Sequence, residues 1–545
     1  VSYPDPARAG APADDPPVVP IDVDGPVALP VPYGYEDVGA RIGVALDDPY
    51  AQIKRADGSP LFSDQPPELL DRGYDAYPPV VAARGAGVQS LRVAADVAAF
   101  VQCDGAVLRW GNGTLAIYGD LYRRAFAAGV RLQMVLNQGR KERPCLPLLG
   151  AGGSIAPYLD FVRTLARQNR ALREEFNASH PAAPVEPLVY QIFNEPNNGG
   201  EPILGESPEL FARVVYESTL AIRAVDPSAQ VVSGGFGGGE TAERGAPIDI
   251  LDYVQRFIAA YRSLLPAEPL VLRQTPGLAD AIGYNPYGDQ GNVAWLRAQL
   301  DASGFDALPI DGLEWGIHND DDNSDAIANS LEASEDLRLQ TVFLLNTLER
   351  PMRNIVLWTL RRSFLEPDKR RTAGLVDEVE DKTDTPNQTD ASCTEAGPFS
   401  SIAGVDGYFC RPKMYALATL LRVAAGRDLQ GSLLASPDAS GRRQPGVDGV
   451  HAIRFEGGGS AGRDDVIAVW CPQTDSGGCA FSFSKPPVAA LDRVGRALKV
   501  GASVYTTSEL DGVHYFFFPH PAPLQQPGPV CPAGSRCAFL PLVKR

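Results

Sequence analysis

Two carboxylates stand out by where they sit in their own short stretches. Glu195 follows a mostly apolar run in VYQIFNEPNN, residues 189–198, which breaks off on Asn194, Glu195 and Pro196. Glu314 lies near the end of a second such run, IDGLEWG, residues 310–316. Each reads as a charged group at the mouth of a buried strand. A protonated carboxyl held there can give a proton to a leaving atom, and an ionised one can attack a carbon or activate water. Two that faced each other across one cleft would supply both halves of a displacement. Whether they meet depends on the elements that carry them.

From about residue 38, short apolar runs alternate with stretches of helical period, the pattern of βα units and a parallel sheet. Strands are predicted at 40–46, 88–95, 130–136, 188–194, 230–235, 280–285, 310–316 and 354–360. Between them, residues 155–178 place Tyr158, Phe161, Val162, Leu165 and Leu172 on one face, and Ser207-Pro208 reads as an N-cap followed by proline at the first helical position. A last helix starts near Lys413. Eight βα units make an α/β fold, a (β/α)8 TIM barrel with insertions. A doubly wound sheet would carry a Gly-rich turn after its first strand, and here DDPYAQ follows ARIGVAL. The Gly-rich GGFGGGE, residues 234–240, reads as a loop. The expected organisation is an extended arm over 1–37 with a strand to lend, the barrel over 38–425, and an antiparallel β-sandwich over 426–545. The boundary follows the Gly/Ser/Pro-rich passage that begins at Gly426, after which short β-rich runs alternate with turns.

A barrel of this kind gathers its chemistry at the C-terminal ends of its strands. There the sequence offers Arg92 on the second strand, Asn137 and Gln138 on the third, Asn194 and Glu195 on the fourth, Asn285 and Tyr287 on the sixth, Glu314 and Trp315 on the seventh, and Trp358 on the eighth. His318 follows the seventh, and Trp110 is a further candidate for the cleft wall. The fourth and seventh strands lie on opposite sides of an eight-stranded barrel, so Glu195 and Glu314 can point into one cleft. Paired carboxylates flanking a cleft are what cleavage of a glycosidic bond requires. Trp315 and Trp358 suit stacking on a sugar ring, and Arg, Asn and Tyr suit its hydroxyls.

Bulk properties narrow the partners. The net charge of −18 argues against nucleic acid or an anionic membrane surface and is compatible with a neutral sugar. No run of about twenty apolar residues offers a membrane span. The eight cysteines lack metal-ligand spacing, so neither a metal nor a cofactor is implied. Their even number points to disulfides, hence to a secreted or periplasmic protein. Cys103 and Cys145 follow neighbouring strand ends and are expected to be bridged.

Asn194-Glu195-Pro196 at the end of a fourth strand, with Glu314 ending a seventh, resembles the clan A retaining glycoside hydrolases. The layout is most similar to glycoside hydrolase families 39 and 5. The resemblance covers the barrel and only loosely the rest. It implies Glu195 as general acid/base, Glu314 as nucleophile, Asn194 on the sugar 2-hydroxyl, Arg92 supporting the nucleophile and Trp358 as subsite floor. The chain departs from the pattern in two places. Asn285 stands where a His is common, although Tyr287 keeps the Tyr, and Leu313 precedes the nucleophile where a polar residue is common. The expected reaction is double displacement on a β-glycoside of a poly- or oligosaccharide, by a monomer or weak oligomer. Transglycosylation by the same residues, or a silent carbohydrate-binding barrel, are the alternatives.

Overall fold

The computed structural model describes residues 17–35, 38–46, 87–104, 107–110, 112–138, 149, 154–197, 204, 207–237, 248–267, 269–286, 291–315, 344–349, 352–357, 376–378, 408–410, 412–437, 441, 443–457, 463–471, 478–507 and 512–520. All eight predicted barrel strands are present: Ile42–Leu46, Ser90–Asp96, Arg131–Asn137, Val189–Ile192, Gln230–Val232, Ile282–Asn285, Ile310–Trp315 and Met352–Leu357. They belong to one parallel sheet of nine segments, because Phe236–Gly237 adds a ninth. That segment lies inside the Gly-rich stretch read as a loop from sequence. It is the second half of the fifth strand. Gln230–Val232 pairs with the fourth strand and Phe236–Gly237 with the sixth. The bridges Asn194–Gly235 and Val232–Ala281 span the break. The two ends of the sheet are thus parts of one strand, and the barrel closes.

Helices Asn112–Ala127, Ala156–Ser179, Pro208–Val225, Ile250–Leu264, Gly291–Ala302 and Pro412–Ala424 cover the barrel. Local chemistry sets their starts. Ser207 accepts a hydrogen bond from the Leu210 N–H and Pro208 takes the first helical position. Asp249 accepts from Leu251 and Asp252. Between helices and sheet lies a layer of aromatic side chains in mutual contact, among them Phe161, Phe211, Phe236 and Phe257. Burying large rings there removes much apolar area from water at about 25 cal/mol per Å2.

The C-terminal region is two stacked sheets. Six strands run in the order Leu29–Tyr35, Arg427–Ser432, His451–Gly457, Asp465–Trp470, His514–Phe518, Ala489–Leu491, and three in the order Val18–Ile21, Cys479–Phe483, Tyr505–Thr507. The N-terminal segment therefore puts one strand into each sheet. Its first strand pairs parallel to Cys479–Phe483, the one departure from an all-antiparallel sandwich among the described residues. Arg427–Ser432, inside the Gly/Ser/Pro-rich passage, is an inner strand of the larger sheet. Asp465–Trp470 is buried along its whole length because alternate side chains serve two cores. Val466, Ala468 and Trp470 join the core shared with the barrel, while Ile467 and Val469 face the smaller sheet. A Cys471–Cys479 disulfide ties the two sheets together.

Candidate active site

Strand periodicity places one set of polar side chains inside the barrel. On the second strand Leu91 and Val93 join the outer core, so Arg92 points inward, 7% exposed. The same parity turns Gln133 and Asn137 inward on the third strand, Gln191 on the fourth and Asn285 on the sixth. A buried guanidinium needs partners, and among the described residues Arg92 has three. Its Nε donates to Gln191 Oε1 at 2.7 Å, Nη2 to Asn194 Oδ1 at 2.7 Å, and Nη1 reaches Glu314 Oε2 at 3.5 Å.

Both glutamates reach this centre only because their strands break alternation. Ile192 and Phe193 are neighbours, yet both belong to the outer core. Phe193 has φ 66° and Glu195 φ 43°, left-handed backbone that side-chain-bearing residues seldom adopt. These two kinks turn Asn194 and Glu195, adjacent in sequence, into the same cleft. The turn is held by long-range bonds. Glu195 N donates to Gly235 O at 2.9 Å, and Asn194 N donates to Asn137 Oδ1 at 2.9 Å. On the seventh strand, the pairing with the eighth slips between Gly312–Ile355 and Trp315–Leu357, where three steps on one strand match two on the other. This bulge lets Leu313 fill the barrel interior with Val189, Val232 and Ala281 while Glu314 also faces inward. Gly283 makes room, since a Cβ there would lie 2.2 Å from Leu313 Cδ1.

The centre of the site is Asn285, fully buried. Its Nδ2 lies 3.2 Å from Glu195 Oε1, 3.2 Å from Glu314 Oε2 and 3.3 Å from Asn194 Oδ1. Both carboxyl oxygens contact one nitrogen, so they can be no farther apart than twice 3.2 Å.

The sequence-predicted residues thus separate into groups. Glu195, Glu314, Asn194, Arg92 and Asn285 converge. Asn137 supports the Asn194 backbone, and Gln138, 4% exposed, accepts from the Leu149 N–H at 2.6 Å. Trp315 does not form a stacking platform. The bulge turns it outward, and it is 1% exposed within the main core. Tyr287, His318 and Trp358 lie outside the described residues, as does Cys145 of the expected Cys103–Cys145 bridge.

Sequence reasoning passed over four residues. Gln191, fully buried, accepts from Arg92 and donates to Phe193 O at 2.8 Å; a lone amide in an apolar run was its signal. Asn197 grips the Gly237 peptide from both sides, accepting its N–H at 2.9 Å and donating to its carbonyl at 3.3 Å. Gly235 and Gly237 are glycines because the site needs their space. A Cβ on Gly235 would lie 2.1 Å from Asn285 Oδ1, and one on Gly237 would lie 3.3 Å from the Glu195 carboxyl carbon.

Comparison with solved structures finds the same fold, a (β/α)8 barrel carrying a β-sandwich. A GH39 enzyme from Xanthomonas axonopodis pv. citri superposes with a TM-score of 0.53 at 14% identity, covering 94% of this chain and 99% of that one. A monomeric β-xylosidase from Caulobacter crescentus gives a TM-score of 0.51 at 14% identity, over 93% of this chain and 100% of the other. A conserved exported protein from Bacteroides fragilis gives 0.52 at 11% identity, over 92% and 100%. No family model matches the sequence, and no curated protein does. The chain shares the fold of family 39 glycoside hydrolases.

Proposed function

We propose that this chain is a retaining glycoside hydrolase acting on β-glycosidic bonds of a poly- or oligosaccharide. The observation that carries the reading is the single Asn285 nitrogen in reach of both Glu195 and Glu314. One oxygen of each carboxyl lies at most twice 3.2 Å from the other, which supports the close pair of a retaining enzyme over the roughly 6.5–9.5 Å of an inverting one. Glu314 attacks the anomeric carbon while Glu195 gives its proton to the leaving oxygen. A water that yields its proton to Glu195 then releases the sugar from Glu314. Arg92 binds Glu314 and Asn194 together, which keeps the nucleophile aimed. Asn194 presents its amide beside the acid, where a sugar 2-hydroxyl would lie.

The Cys471–Cys479 disulfide supports a secreted or periplasmic location, as does the exported Bacteroides neighbour. The β-xylosidase among the neighbours makes aryl β-xylosides the first substrates to try, followed by other β-glycosides. The deciding measurement is the anomeric configuration of the first-formed product by NMR. Retention is expected. Inversion, or no hydrolysis across a broad panel of β-glycosides, overturns the reading.

A further inference from the structure

We propose that Asn285 is a shared hydrogen-bond donor that follows the negative charge from Glu314 to Glu195 and back during each turnover. The proposal rests on the double-displacement reading above. The amide has two hydrogens for three oxygens, and all three lie at 3.2–3.3 Å, longer than the usual 2.9–3.0 Å of a committed N–H···O bond. Its orientation is settled by chemistry. A flipped amide would set Oδ1 against the same three oxygens, whereas the observed one packs Oδ1 beside Gly235, in the space a Cβ would take.

Charge decides which oxygen receives a hydrogen, because bonds to an ionised acceptor are the stronger ones. Before reaction Glu314 is the anion and Glu195 carries the proton, so the amide serves Glu314. In the first step a Glu314 oxygen bonds to the anomeric carbon, the bond to the leaving oxygen breaks, and the Glu195 proton moves to that oxygen. Glu314 is now a neutral ester and Glu195 the anion, and the amide serves Glu195. In the second step the water oxygen bonds to the anomeric carbon, its proton returns to Glu195, and Glu314 leaves as the anion. The nitrogen is equidistant from Glu195 Oε1 and Glu314 Oε2, so it follows the charge without moving. An amide does not titrate, so the donor is present at every pH.

The test is Asn285→Asp, which keeps the shape but donates only when its new carboxyl is protonated. Expected is a loss of about 10^2-fold in kcat near neutral pH, the scale of one lost transition-state donor. The pH optimum should also move to lower pH, where the introduced acid donates again. Asn285→Ala should show the same loss without that move. The loss should appear on substrates with poor leaving groups and on activated ones, since both steps use the donor. An Asn285→Asp profile of native shape, or a loss confined to one step, overturns the proposal. Should Asn285→Asp fail to fold, the two-step loss in Asn285→Ala decides alone. Glu314→Ala on the same substrates keeps the two readings apart. If it remains active, the mechanism itself has failed, whereas an inactive Glu314→Ala with a native-shaped Asn285→Asp profile removes only the role given to Asn285.

Discussion

The two ends of the barrel treat their carboxylates differently. At the N-terminal end the buried acids Asp311 and Asp280 are each paired with arginine at close range. Asp311, with 1% of its side chain exposed, accepts Arg353 through both oxygens at 3.0 and 2.7 Å and Asn354 at 3.0 Å. Asp280, 4% exposed, has Arg223 at 3.1 Å and Arg273 at 3.2 Å, and it also accepts the Val231 N–H at 2.8 Å. At the C-terminal end Glu314 meets Arg92 at 3.5 Å, and Glu314 and Glu195 both lie 3.2 Å from one neutral amide. Full neutralisation stabilises a fold. On the proposed reading, the looser contacts of the C-terminal end suit a carboxylate that attacks and a neighbour that gives up a proton. Among the described residues, arginine pairs hold the acids of one end, and a shared neutral amide lies between the acids of the other.

Substitutions at the two ends should separate these roles. The largest effect is expected from Glu314→Ala, with kcat down by about 10^4-fold or more in a steady-state assay and the denaturation midpoint unchanged or raised. Glu195→Ala should cost about 10^2–10^4-fold on substrates with poor leaving groups. On an activated aryl glycoside, azide should restore turnover by taking the place of water. Arg353→Ala should invert the pattern. It leaves Asp311 buried without its cation, which costs about 3–5 kcal/mol in chemical denaturation, while kcat per folded molecule stays native. Asn354→Ala removes one bond to the same carboxylate and should cost about 1.5–3 kcal/mol, again without a kinetic effect. A kinetic defect in either N-terminal variant would break the division between the two ends.

Much of this was legible from the sequence. Every barrel strand was, because a strand buried on both faces reads as an apolar run between helical patterns. Arg92, Asn194, Glu195, Asn285 and Glu314 were legible as polar residues at strand ends. Other features were hidden for identifiable reasons. Phe236–Gly237 is only two residues long and Gly-rich around it, so its pairing with Tyr284 and Asn285 had no local signal. Arg427–Ser432 has few apolar residues, and its strand state comes from neighbours on both sides. Trp315 was misplaced because simple alternation along its strand does not anticipate a bulge.

By itself, then, the sequence determined the order of the elements, the face that most strand residues take, and the chemical types present at the rim. Those follow from side-chain polarity read at a period of two or 3.6, which is local information. Only the tertiary structure decided where that period fails. The left-handed turns at Phe193 and Glu195 persist because Gly235 and Asn137 hold them, and the bulge before Trp315 is set by its register with Leu357. Gly235 lies 40 positions from Glu195, Asn285 lies 90 from it, and Glu314 lies 29 beyond Asn285. Contacts at such separations leave no periodic trace in the chain, yet they bring two carboxylates to one nitrogen.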